Sequence, residues 1–178
     1  MSEILVPVKL SPHLIPFFYE EFQGIEANYT GTKVKACKIN GKSSLGYLIL
    51  HALKTTENPI NIEKSKFWVF ITYDPDCPEA VFHFTKNGKN SCLEVSEEVL
   101  KKINYILEDQ FRIAFVYTVK GMLKADKTLL VRDAIEAFMI DYELDEYGYN
   151  LESLRRLLNR GQENKLSRLQ TQMAHAVK

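Results

Sequence analysis

Apolar and polar positions divide the chain into short strand-like runs first and helix-spaced runs afterwards. EILVPVKL (3–10) reads as a first strand, and Pro7, which has no N–H for a ladder, belongs at a sheet edge. SPHLIPFFYEEFQG has a Ser-Pro start and a Gly stop, the punctuation of a short helix, and Pro16 sets its regular part at 16–22. TKVKACKI predicts a second strand, with Asn40-Gly41 as a turn after it. SSLGYLILHALK (43–54) follows as an apolar helix capped by Ser43. KFWVFITYD (66–74) is apolar on both faces, as a central strand is. EAVFHFTKNGKNSCLEV (79–95) predicts a hairpin turned at Asn87-Gly88, with Ala80, Phe82 and Phe84 on one face.

The spacing then changes to three and four. From Ser96 a capped, acidic first turn leads into a long helix (96–121) that sets Val99, Ile103, Ile106, Gln110, Ala114 and Thr118 on one side. Within it, IAFVYTV is β-branched and aromatic enough that a strand over 112–120 competes with the helix. A second helix is expected at roughly 127–144, with apolar spacing at Leu130, Ala134, Ala137 and Phe138. A third, LESLRRLLNR (151–160), is capped by Asn150 and ended by Gly161. The tail carries Leu166, Leu169, Met173 and Val177 at helical spacing, an amphipathic pattern with no core of its own. The fold class expected is α+β: a small, mostly antiparallel sheet with flanking helices, then a helical C-terminal third. Residues 1–95 form the sheet-containing part, 96–161 a helical part packed with it in one domain, and 162–178 a basic tail.

Composition narrows the classes. The 178 residues are 46% hydrophobic and 26% charged, ordinary values for a globular chain with a real core. No segment approaches the roughly 18–20 apolar residues of a membrane span, and no basic flank precedes an apolar run at the N-terminus. The Asn28-Tyr29-Thr30 sequon is therefore expected to meet no glycosylating compartment. Cys37, Cys77 and Cys92 have no paired-ligand spacing, and an odd count without a secretory signal favours reduced thiols in the cytoplasm. Net charge is zero but unevenly spread. Residues 1–154 hold 17 Lys/Arg against 22 Asp/Glu, whereas 155–178 hold six basic residues against Glu163 alone. Such asymmetry points to an interaction tail.

Candidate chemistry begins with ACKINGKSS (36–44), which fits the loose form of a phosphate loop. Lys42 would reach the outer phosphates, Ser43 would hold magnesium, and Asp74, closing VFITYD, would be the metal-holding acid. Against this, the preceding strand alternates Lys33, Lys35 and Lys38 with apolar residues, and the loop interior has no glycine. A turn at Asn40-Gly41 and a cap at Ser43 explain the same residues without a ligand, so a nucleotide-binding enzyme is the disfavoured alternative.

The histidines His13, His51, His83 and His175 have no partner at metal-ligand spacing. His51, on an apolar helix, reads as a satisfied core residue, and His83 as a surface or hydrogen-bonded one. Asp141 and Asp145 would share a helix face if the helix reached them, where two carboxylates can hold a divalent metal. A solvated helix end is the commoner meaning of such a run. No cofactor or metal is expected.

The basic C-terminus carries the leading expectation. Leu151, Leu154 and Leu158 fall on one helix face, with Arg155, Arg156 and Arg160 around the other sides. An Arg-bearing helix after a helix and short turn is the arrangement that enters a DNA major groove. Lys165 and Arg168 would extend the patch. Residues 126–152 nevertheless carry eight acids and two basic residues, which duplex DNA repels. The rival is a protein-interaction or self-association module in which Leu166, Leu169, Met173 and Val177 dock on another chain.

LVPVKLSPHLIPFFYEEF near the start and AIEAFMIDYELDEYGYNLESLRRLLNR near the end resemble a group of uncharacterised bacterial proteins carried by prophages and by conjugative or integrated mobile elements. The resemblance spans most of residues 3–160 and brings no catalytic residues. It implies an intracellular accessory role in handling or regulating element DNA, and the reading taken from it is a non-enzymatic protein.

Overall fold

A computed structural model describes residues 5–56, 58–60, 62, 68–73 and 92–163. It is α+β, and the chain divides into two compact units, Met1–Leu107 and Glu108–Lys178. The boundary falls inside the helix that begins at Glu97.

The first unit is built on strands β1 (Leu5–Lys9), β2 (Gly24–Tyr29), β3 (Thr32–Lys38) and β5 (Trp68–Thr72), in the spatial order β1-β5-β3-β2. Among the described strands β1 lies at one edge of the sheet, where Pro7 fits, and pairs antiparallel with β5. β5 is central and its last four residues are buried, in keeping with its unbroken apolar run. β2 and β3 pair antiparallel, whereas β3 and β5 are parallel. β4 (Leu53–Thr56) and β6 (Cys92–Val95) make a separate antiparallel pair. The first arm of the expected 79–95 hairpin lies outside the described residues.

One sheet face gathers Leu5, Ala27, Tyr29, Ala36 and Phe70, with Val34, Ile62 and Trp68 packed against them. Alternate residues Val6, Val8, Cys37, Val69 and Ile71 are buried on the opposite face.

Helix α1 (Leu14–Phe22) starts two residues before Pro16, contrary to expectation. Pro16 is its third residue, where the N–H has no intrahelical acceptor, so proline costs no bond there. Gln23, not Gly24, takes the left-handed backbone at its end, with φ 48°, and Gly24 begins β2. α2 (Ser44–Leu50) is capped by Ser43, whose Oγ accepts from the Gly46 N–H at 3.1 Å. It is shorter than the predicted 43–54 because Leu53 and Lys54 are drawn into β4.

α3 (Glu97–Ala125) is one continuous helix, so the β-branched run within it does not become a strand. Its buried stripe is Ile103, Leu107, Phe111, Phe115 and Val119, not the predicted set. Ile103 alone is common to both, while Ile106, Gln110 and Thr118 are exposed. The larger apolar area of Leu107, Phe111 and Phe115 decides which side faces inward. Within the first unit, Asn104 ties α3 to the β1–α1 corner: its Oδ1 accepts from the Ser11 N–H at 2.7 Å and its Nδ2 donates to the Lys9 carbonyl at 2.9 Å.

In the second unit, α4 (Val131–Asp141) is shorter than the expected 127–144. Asp126 folds residues 126–128 into a turn by accepting from the Thr128 N–H and hydroxyl, and Leu130 becomes an exposed cap. α4 buries Ala134, Ile135 and Phe138. The Phe138 ring meets Phe115, Phe111 and Tyr142, with centroids 5.0, 6.0 and 4.5 Å away. A 3-10 turn (Leu144–Tyr147) leads to α5 (Leu151–Glu163), which packs against α4. Gly161 does not end α5, whose backbone continues through it.

Candidate nucleic-acid interface

α5 is placed by a reciprocal cap at its start. Asn150 Oδ1 accepts from the Ser153 N–H at 2.8 Å, and the Asn150 N–H donates to Ser153 Oγ at 3.2 Å. Leu154 and Leu158 are fully buried and fix which way the helix faces. Asn150→Ala is expected to lower stability by about 1 kcal/mol, measured by urea denaturation, because it strips that cap from a helix start.

With Leu154 and Leu158 turned inward, Arg155, Arg156 and Arg160 are all exposed. Arg156 Nε donates to Glu152 Oε1 at 3.2 Å, one turn back, and both side chains remain more than half exposed. Such a surface pair is worth little and exchanges readily. Arg155 and Arg160 form no ion pair with any described residue. Lys165 and Arg168, the expected extensions of the patch, lie outside the described residues, as do Leu166, Leu169, Met173 and Val177.

Acids surround the approach to this helix. Asp141, Glu143, Asp145 and Glu146 are exposed on the end of α4 and the connector after it. Burial, then the charges of Glu146 and Glu143, push the Tyr147 hydroxyl above its ordinary pKa. Burial first, and then Glu108, does the same for Tyr149. The connector from α4 to α5 is not the short turn expected. It spans residues 142–150 with left-handed backbone at Glu143 and Gly148. A helix-turn-helix uses a turn of only about 3–4 residues. Because α4 stops at Asp141, Asp145 does not share its face, and among the described residues no group of three His, Cys, Asp or Glu could hold a metal.

The phosphate-loop stretch folds onto itself. The Ser43 N–H donates to the Asn40 carbonyl at 2.9 Å, the Lys42 N–H to Asn40 Oδ1 at 2.9 Å, and the Gly46 N–H to Ser43 Oγ. Ser43 Oγ also donates to the Asn40 carbonyl at 2.7 Å. Gly46 is required because a Cβ there would run into the Asn40 carbonyl. These amides would have to leave their partners to cradle a phosphate. Lys42 is exposed, and Asp74 lies outside the described residues.

His51 is exposed rather than a core residue: α2 ends before it, its ring stacks on Tyr47 at 3.8 Å, and its Nδ1 lies 2.9 Å from the Tyr47 carbonyl. His83 and His175 lie outside the described residues. Burial in β3 pushes the Cys37 thiol up to about 11, against a weaker downward pull from Lys35. Cys37 is therefore expected to resist iodoacetamide at neutral pH in the folded protein and to react once denaturant exposes it, read by mass spectrometry.

Among the described residues, no helix is long and apolar enough to cross a membrane. Comparison of the chain with family models, curated proteins and solved structures gives no match.

Proposed function

We propose that this is a cytoplasmic, non-enzymatic accessory protein of a mobile element that binds nucleic acid through the outer side of α5. The observation that carries the reading is that Arg155 and Arg160 stand exposed, without an ion pair to a described residue, on a helix anchored by Leu154 and Leu158. A guanidinium exposed on such a helix face is open to a phosphate, and its fork suits bidentate contact. Arg156 joins by exchanging the Glu152 carboxylate for a phosphate oxygen. Lys165 and Arg168 lengthen the same cationic segment in sequence.

The long connector and the acids around it favour contact with one line of phosphates over insertion into a groove. Affinity is then set by charge and depends little on base sequence. Electrophoretic mobility shift with duplex DNA at low and at physiological salt tests the proposal. A retarded complex at low salt that weakens sharply at the higher salt is the expected result, and no complex at low salt rejects it.

A further inference from the structure

β2 is the outermost described strand on its side of the first unit's sheet. β3 lies on one side of β2, and among the described residues no strand lies on the other. The two-residue loop Thr30-Gly31 makes Tyr29 and Thr32 the closing pair of the hairpin, and ladder bonds alternate away from such a pair. Tyr29, Ala27 and Ile25 therefore turn their N–H and C=O groups to β3, while Gly24, Glu26 and Asn28 turn theirs outward. Glu26 and Asn28 are exposed, and on the other face Ile25 is 43% exposed. An open edge of this kind is a template for another strand.

Glu26 decides which strand it accepts. In register it faces Lys35, the obvious partner for its charge. Lys35 is drawn elsewhere: its chain lies over Gly24, where a Cβ would collide with it, and its ammonium sits 4.5 Å from the centre of the Tyr19 ring. The Tyr19 hydroxyl fastens the same residue by donating to the Lys35 carbonyl at 2.9 Å. Glu26 is left exposed, with no ion pair to a described residue.

A second copy of the chain adding here by twofold symmetry can use all three outward residues in one register only. That register sets Glu26 against its own copy and Gly24 against Asn28, and like charges directly opposite destabilise a strand pair. Slipping by two residues avoids the clash but leaves one of the three outward residues unpaired. We infer that β2 is a strand-addition edge that rejects a second copy of this chain and takes an extended segment of another chain that sets a lysine or arginine opposite Glu26.

Wild-type protein mixed with its Glu26→Lys variant tests this, because the variant supplies a strand of known backbone with the required charge. Amide exchange followed by NMR reads the edge directly. The Gly24, Glu26 and Asn28 amides are expected to exchange fast in wild type alone, and so are their counterparts in the variant alone. In the mixture they slow severalfold, and added salt reverses the effect. Glu26→Arg, run in parallel, guards against a variant that fails to fold. Equally fast exchange in mixtures with either folded variant overturns the inference, and so does slow exchange at these amides in wild type alone.

Discussion

Phe138→Ala is expected to lower the unfolding free energy by about 3–5 kcal/mol. Phe138 is fully buried, and its ring lies within 6.0 Å of the ring centres of Phe111, Phe115 and Tyr142. Truncation removes apolar area and leaves a space those rings cannot fill, since each is fixed on a helix or its end. The loss is large beside the roughly 5–15 kcal/mol that separates most folded domains from their unfolded chains. Urea denaturation followed by circular dichroism measures it. Phe138→Leu, which keeps part of the volume, is expected to recover much of the deficit. A loss under about 1 kcal/mol for the alanine variant would place Phe138 outside the packed core.

Arg155→Ala combined with Arg160→Ala is expected to have the largest effect on function. Each duplex phosphate deprived of its arginine reduces the steepness of log affinity against log salt by roughly 0.9. Taking away two such arginines therefore flattens the line by about 1.8, and affinity at low salt falls by a similar factor for unrelated DNA sequences. Arg156→Ala should cost less, because Arg156 first has to give up Glu152. Glu152→Gln should strengthen binding by freeing that arginine and removing a negative charge from the surface. Fluorescence anisotropy with labelled duplexes at several salt concentrations reads all these variants. An unchanged slope in the double variant would remove α5 from the interface.

How much of the fold is legible in the sequence follows the size of the local signal. The central strand Trp68–Thr72 and the edge strand with Pro7 are readable because burial on two faces and a missing donor leave direct marks. The Ser43 and Asn150 caps are readable for the same reason, since their side chains act within three residues of themselves. β2 leaves no such mark. Gly24, Ala27 and Asn28 are poor strand formers, and the strand exists because Thr30-Gly31 closes a hairpin and Ala27 and Tyr29 find a sheet face to cover. The inward side of α3 is displaced by one position from the spacing-based expectation. Gln110, Ala114 and Thr118 keep helical spacing too, and the greater bulk of Phe111 and Phe115 prevails.

The candidate site is legible in composition but not in detail. The excess of arginine after residue 154 marks α5, and the leucine spacing gives its inward face. That Glu152 engages Arg156, while Arg155 and Arg160 have no ion pair to a described residue, depends on side-chain reach along the helix, which spacing alone leaves open. The connector over residues 142–150 is longer than its sequence suggests, because nothing in DYELDEYGYN signals that Glu143 adopts φ 49°. Asn104, which ties α3 to Ser11 and Lys9, carries no local mark of that role either: those two partners lie more than 90 residues away.

The most direct measurement is the affinity of the unmodified full chain for duplex DNA across a range of salt concentrations. Three arginine–phosphate contacts predict a straight line of log affinity against log salt with a slope of about −2.7, steeper if Lys165 and Arg168 also touch phosphate. The absence of any complex at the lowest salt, or an affinity that does not change with salt, would contradict the account.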